Sequence, residues 1–195
     1  MVRSIILAAG SSTRMGRPKA LLEIGSLTFL SHILRNHHAL GLPVSVILGE
    51  HQTEIQAAVD LSETVVLINP HPELGPLSSL KIGLGSSEGN EAVLVHPVDH
   101  PLVRLDSLRT LLDSHHASPD RIIVPRFGTR RGHPVLFPRL FFDELLAAPL
   151  DQGARYVVWK HPETVLILDV TDEGVIQNID TPEDYARQIG PKTPD

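Results

Sequence analysis

The sequence predicts an α/β protein built on a mainly parallel sheet. Short apolar runs alternate with stretches of helical periodicity of about ten residues, the pattern of βαβ crossovers. The apolar runs are continuous rather than alternating, as expected of strands covered by helices on both faces. The chain has 195 residues, 42 % hydrophobic and 21 % charged, enough to bury a full core, which excludes a largely disordered chain. We expect one domain over 1–189 and a disordered tail over 190–195, a Pro-containing stretch without apolar periodicity.

Ile5-Ile6-Leu7 is the first strand. The apolar stretch from Ile5 to Ala9 is too short for a signal peptide, and Gly10-Ser11-Ser12 interrupts it. Apolar residues recur at helical spacing over Leu27–Leu40, followed by a strand over Val44–Leu48. A helix over Glu54–Leu61, a strand over Val65–Ile68, a helix over Leu77–Leu84 and a strand over Ala92–Val95 continue the alternation. A helix over Leu105–His116 and a strand over Arg121–Val124 come next, then a strand over Val135–Phe137 and a helix over Phe141–Ala147. Val165–Leu168 is a late strand. A last helix over Pro182–Ile189 has Thr181 as its N-cap and Pro182 at its first position, where a missing N–H costs nothing.

Composition excludes several functions. The 17 Lys and Arg against 23 Asp and Glu give a net charge of −6, so no broad basic surface for nucleic acid is expected. No apolar run approaches the roughly 18 residues of a membrane span, and no membrane partner is expected. Cysteine is absent, which excludes disulfides, thiolate metal sites and a Cys nucleophile and is compatible with the cytoplasmic location we expect. The pairs His37-His38 and His115-His116 are expected on exposed helix positions; neighbours on a helix face different ways and form no metal site. Trp159 and the pair Phe141-Phe142 are expected in the core.

In open α/β sheets ligands bind at the carboxyl ends of strands. There Leu7-Ala8-Ala9-Gly10 leaves the first strand with small residues, and Arg14, Arg17 and Lys19 follow. Small residues, backbone N–H groups and cations make a phosphate cradle; the same residues also fit an ordinary βα turn with a solvated basic face. The loop has neither P-loop spacing nor a Gly-x-Gly-x-x-Gly dinucleotide fingerprint. His96-Pro97-Val98-Asp99-His100-Pro101 ends the fourth strand of the pattern, where the carboxylate of Asp99 either holds a cation or simply terminates a turn.

These motifs resemble the MobA-like nucleotidyltransferases. The family signature Leu-Ala-Ala/Gly-Gly-x-Ser-x-Arg-Met-Gly-x-x-Lys is met at every fixed position from Leu7 to Lys19. The Ala-Ala-Gly form resembles the molybdenum cofactor cytidylyltransferase branch. Asp99 matches the family's Pro-x-Asp-x-Pro sequence, although His100 stands where that branch usually has Gln. Gly75 to Gly83 resembles a Gly-x-x-x-Ser-Leu-x-x-Gly segment near the nucleotide base, and Gly132-His133-Pro134 and Gly153-Ala154-Arg155 resemble acceptor-side segments. The resemblance runs from about residue 3 to residue 188.

The resemblance implies a three-layer α/β/α sandwich of the nucleotide-diphospho-sugar transferase type. It implies transfer of a nucleoside monophosphate, CMP from CTP with GTP or ATP as other donors, to molybdenum-bearing molybdopterin, with release of pyrophosphate. Leu7, Ala8, Ala9, Gly10, Arg14, Lys19, Ser78 and Ser79 would bind the nucleotide, and His100, His133 and Arg155 the acceptor. Asp99 and Asp180 would share one Mg²⁺, or Mn²⁺, and are expected at adjacent strand ends. Arg14, Lys19, Asp99 and Asp180 form the implied catalytic set. A molybdoenzyme or its maturation chaperone would receive the product. Two alternatives stay open: a nucleotidyltransferase for a sugar phosphate or another small phosphate ester, and a non-catalytic protein that carries the pterin cofactor.

Overall fold

The computed structural model describes residues 1–190. In chain order its elements are β1 (Val2–Ala8), the hairpin strands β2 (Glu23–Ile24) and β3 (Leu27–Thr28), α1 (Phe29–His38), β4 (Val44–Leu48), α2 (Gln52–Ala58) and β5 (Thr64–Ile68). They continue with α3 (Pro76–Gly85), β6 (Ala92–Pro97), α4 (Leu105–Ala117), β7 (Ile122–Phe127), β8 (Arg130–Arg131), β9 (Val135–Pro138) and α5 (Phe142–Ala147). The last are α6 (Arg155–Lys160), β10 (Val165–Asp169) and α7 (Pro182–Gln188).

The main sheet runs β10-β7-β9-β6-β1-β4-β5, with β8 paired to β7. β1 lies between two parallel neighbours, Ile5 facing Ser45 of β4 and Val95 of β6. β9 alone in this path is antiparallel to both its neighbours, β6 and β7. Side chains alternate across each strand. Ile5, Ile47, Val93, Val95 and Phe137 pack with Leu77, Leu80 and Leu84 of α3 and Leu145 of α5. On the opposite face Ile6, Val46 and Leu48 meet Phe29, Leu30 and Ile33 of α1. Farther along that face, Leu94, Ile123 and Leu136 meet Leu108 and Leu111 of α4. The result is the expected three-layer α/β/α sandwich. Ile5 and Ile6 are fully buried, each contributing about 1.5–3 kcal/mol of transfer free energy.

Several expectations need correction. The helix expected from Leu27 begins at Phe29: Gly25, at φ 61°, turns β2 into β3, and the Thr28 hydroxyl caps α1 by accepting from Ser31 N–H at 3.1 Å. His37 and His115 are buried, not exposed. His37 lies one and two helical turns beyond Ile33 and Phe29, on the apolar stripe of α1, and His115 continues the stripe of Leu108 and Leu111 on α4. Phe141 and Phe142 are in the core as expected, whereas Trp159 is 62 % exposed. Asp180 sits in the extended segment before α7 rather than at a strand end; Ile179 N–H donates to Asp99 C=O at 2.8 Å and so brings the segment alongside. Gly190 N–H bonds Tyr185 C=O at 3.2 Å and closes α7. The rest of the expected tail, 191–195, lies outside the described residues. Among the described residues no helix is long and apolar enough to cross a membrane.

Candidate active site

A cleft of about 900 Å³ opens at the carboxyl ends of β1 and β6. One wall is the loop after β1. The backbone of Ala9 at the start of this loop approaches Gly49, just after β4, closely because Gly49 lacks a side chain; a Cβ there would stand 2.3 Å from the Ala9 carbonyl oxygen. Ser12 takes a left-handed conformation at φ 53°. From it the Ser12 carbonyl accepts Met15 N–H at 2.9 Å, and its hydroxyl accepts Lys19 N–H at 3.0 Å. The loop therefore folds back on itself and delivers Lys19 to the cleft floor.

Lys19 joins the two carboxylates. Its ammonium donates to Asp180 Oδ1 and lies 3.5 Å from Asp99 Oδ2. Arg14 Nη2 reaches Asp180 Oδ2 at 3.4 Å from a largely exposed position. Burial raises the Asp180 carboxyl, but the hydrogen bond and charge of Lys19, with Arg14, outweigh it and hold the group below the usual carboxylate range. The backbone N–H of Asp180 donates to Asp184 at 3.2 Å, inside the capping box that Thr181 and Asp184 form at the start of α7. Asp99 Oδ1 is buried and has no hydrogen-bond partner.

The predicted serines separate. Ser79 lines the cleft, whereas Ser78 does not. Ser78 and Ser79 both accept from Asn69 Nδ2, at 2.8 and 2.9 Å, and Ser78 also donates to Gly75 C=O at 2.7 Å. Leu7, Ala8, Ala9, Gly10, Arg14 and Lys19 all line the cleft.

The cleft lining also includes His100, His133 and Arg155, with His100 close enough to Lys19 and Asp180, and His133 to Asp99, to feel their charges. The rings of His100 and His133 stand 4.9 Å apart, and the Nδ1 of each is buried without a partner. Burial, then the charge of His133, pushes His100 down to about 3; burial lowers His133 too, so both rings are neutral near pH 7. His133 N–H donates to Val175 C=O at 2.8 Å. Val175 is placed by Asp172, which accepts from Arg104 N–H, the Ser107 hydroxyl and Gly174 N–H at 2.8, 2.7 and 2.9 Å. Gly132 permits this approach, since a Cβ there would meet Val175 C=O at 2.1 Å. Arg155 is exposed at the start of α6, with its guanidinium 5.1 Å from the Trp159 ring centre.

A buried polar chain starts at the His100 carbonyl. His96 Nε2 lies 2.9 Å from His100 C=O, His96 Nδ1 lies 2.8 Å from His37 Nε2, and His37 Nδ1 lies 2.7 Å from the Ser4 hydroxyl. A carbonyl only accepts, so His96 must donate from Nε2. Its Nδ1 then accepts from His37, whose Nδ1 accepts from Ser4. Burial drives both rings toward the neutral form, with His96 down to about 3 and His37 well below its ordinary value.

Residues 4–165 match the MobA-like NTP transferase domain family. The chain belongs to this family. The probable molybdenum cofactor guanylyltransferase of Rhodopirellula baltica is 33 % identical over 126 residues, 62 % of this chain and 58 % of the relative. The bifunctional protein GlmU of Streptococcus pyogenes serotype M28 is 35 % identical over 115 residues, 57 % of this chain and 25 % of that protein. The chain thus matches less than two thirds of the length of either curated relative. Rv0371c from Mycobacterium tuberculosis H37Rv superposes with a TM-score of 0.81 at 29 % identity over 96 % of each chain. A structure of Rv0371c with manganese gives 0.77 at 26 % identity, over 98 % of this chain and 99 % of that one.

In this MobA-like chain Asn69, Asp172 and Ser4 carry no sequence signal of their role, and His37 is expected exposed rather than in a buried chain. None stands in a signature motif, and each acts through a contact distant in sequence. A buried stripe position occupied by histidine was the one available signal, and it applies to His37 alone.

Proposed function

We propose that this protein is a nucleotidyltransferase that moves CMP from CTP to the terminal phosphate of molybdenum-bearing molybdopterin and releases pyrophosphate. The observation that carries the reading is Lys19, held between Asp99 and Asp180 at the end of a phosphate-cradling loop. A protein that only carried the pterin would not need this arrangement.

Asp99 and Asp180 fit a divalent cation. Both reach one ammonium, and Asp99 keeps a buried oxygen without a partner. Among the described residues no three His, Asp or Glu converge as a metal site, so such a cation would complete its shell with phosphate and water oxygens. Mg²⁺, or Mn²⁺, bound there would neutralise phosphate charge.

An acceptor phosphate oxygen attacks the α-phosphorus, a P–O bond forms, and the bond to the β-phosphate oxygen breaks. The nucleophile is already ionised at neutral pH, so no general base is needed. Lys19 and Arg14 hold the triphosphate and offset the charge that grows on the leaving pyrophosphate, Lys19 as a point charge and Arg14 as a bidentate donor. The backbone of Ala8 and Ala9, with Ser79, reads the base edge. His100, His133 and Arg155 receive the acceptor; the neutral His rings add no positive charge beside Lys19. The Ala-Ala-Gly form of the loop favours CTP, whereas the name of the Rhodopirellula relative points to a guanine donor.

A thermal-shift panel of CTP, GTP, ATP and UTP with Mg²⁺ tests the donor; a ligand at 100 times its Kd adds about 2.7 kcal/mol of stability. Pyrophosphate release with molybdenum-loaded molybdopterin tests the reaction. The expected result is at least a tenfold preference in kcat/KM for CTP over GTP. Equal efficiency with GTP overturns the donor, turnover with glucose 1-phosphate instead of the pterin overturns the acceptor, and absence of pyrophosphate release overturns the activity.

A further inference from the structure

Trp159 is the single tryptophan of the chain. It is the bulkiest side chain the protein has, yet it is 62 % exposed. The helix that carries it, α6, has six residues and buries only Val157 among them. An indole in this place contributes little to the core. It lines the same cleft as the loop after β1, together with Arg155, Leu150 and Gly153.

Arg155 precedes Trp159 by one helical turn and sets its guanidinium 5.1 Å from the ring centre. Its Nε donates to Gln152 C=O at 3.0 Å, which fixes the guanidinium plane. One indole face is thereby occupied, and the high exposure leaves the rest of the ring surface open toward a ligand. An open indole with a fixed cation beside it matches a flat, conjugated, electron-rich ring with an anionic substituent. A saturated sugar ring offers this surface only its C–H face, without the conjugated overlap and guanidinium contact that a flat heteroaromatic ring makes.

We propose that Trp159 and Arg155 form the acceptor subsite that selects a flat heteroaromatic ring carrying a phosphate ester, with Trp159 as the stacking platform. The ring lies against the indole, and its phosphate extends toward His100 and His133. This rests on the nucleotidyltransferase reading for the direction of the acceptor, but the ring specificity is measured without turnover.

The test uses the full chain and the phosphate ester of 6-hydroxymethylpterin as probe, with glucose 1-phosphate as the sugar counterpart. Trp159 is the only indole, so its fluorescence reports the subsite directly. The pterin ester should quench it saturably and glucose 1-phosphate should not. By calorimetry, Trp159→Ala should weaken binding of the pterin ester about tenfold, the size typical of losing one ring stack. Trp159→Phe, which keeps a ring, should restore most of that affinity. CTP affinity, measured separately, should be the same in all three proteins. An unchanged affinity of Trp159→Ala for the pterin ester, quenching by the sugar phosphate alone, or no binding of the pterin ester to the unmodified protein overturns the platform. Failure of CTP to bind while the pterin ester still depends on Trp159 overturns the nucleotide reading and leaves the platform standing.

Discussion

His37 Nε2 lies 2.8 Å from His96 Nδ1, with both rings sealed from water. Through His96 the pair reaches the carbonyl of His100, the residue after Asp99, so a buried polar line links α1 to the cleft floor. Every member has a forced donor or acceptor role. The line therefore tolerates neither an extra proton nor a missing one.

Acid should destabilise the fold through this pair. Burial first, and for His37 the neighbouring His96 second, lowers both rings from 6.5, His96 to about 3. The unfolded chain takes up both protons below about pH 6.5 while the native state takes up neither, so the stability they contribute is complete above that pH and falls as pH drops toward 3. His96 alone corresponds to a slope approaching roughly 1 kcal/mol per pH unit between about pH 5.5 and 4, and His37 adds to it in the same direction. Urea denaturation at pH 7, 5.5 and 4.5 measures it; a flat profile would contradict neutral rings.

Ser4→Ala removes the donor at the far end. The buried Nδ1 of His37 then lacks its partner at 2.7 Å. A loss of about 1–3 kcal/mol is expected in denaturant unfolding at pH 7.

Lys19→Ala should lower kcat by about 10²–10³ and change KM for the nucleotide much less, because the ammonium acts most where charge develops. Steady-state kcat and KM, determined separately, decide the matter. A raised KM at constant kcat would mean that Lys19 binds substrate and transition state equally.

Asp99→Asn and Asp180→Asn should each weaken Mn²⁺ binding, read by electron paramagnetic resonance, by about tenfold or more, since each removes a hard anionic oxygen from the proposed cation site. Circular dichroism should stay unchanged. Full Mn²⁺ affinity in either variant would remove that carboxylate from the site.

Gly49→Ala should disturb the nucleotide wall. The new Cβ would stand 2.3 Å from backbone oxygen of Ala9, which cannot swing aside as a side chain can. The expected outcome is about 1–3 kcal/mol of lost stability and weaker CTP binding, seen by thermal shift with and without nucleotide.

The alternation of apolar runs with helical stripes made the sandwich legible, because each strand of β1, β4 and β6 is buried on both faces. Thr181 and Pro182 announced α7 through capping chemistry that is local in sequence. The strands β2 and β3 were not legible: each has two residues, too short for any periodicity, and Gly25 sets their turn. Helix α6 was hidden for the same reason, with one buried residue among six. At the site, the motif residues carried their own signal, whereas Asn69 and Asp172 gain meaning only from partners placed by the fold. Trp159 misled because bulk and apolarity predict burial on average, and ligand-facing positions depart from that average.

Lys19 and Asp180 are 161 positions apart. On the ribosome, at 5–20 residues per second, the lysine is made roughly ten to thirty seconds before its carboxylate partner. During that interval a nascent chain presents its basic loop without Asp180, able to attract loose polyphosphate while the second carboxylate of the proposed cation site is still unmade. Competence therefore arrives late and abruptly in biosynthesis, when a distant segment docks, and a chain cut short before that segment is charged differently from the finished one.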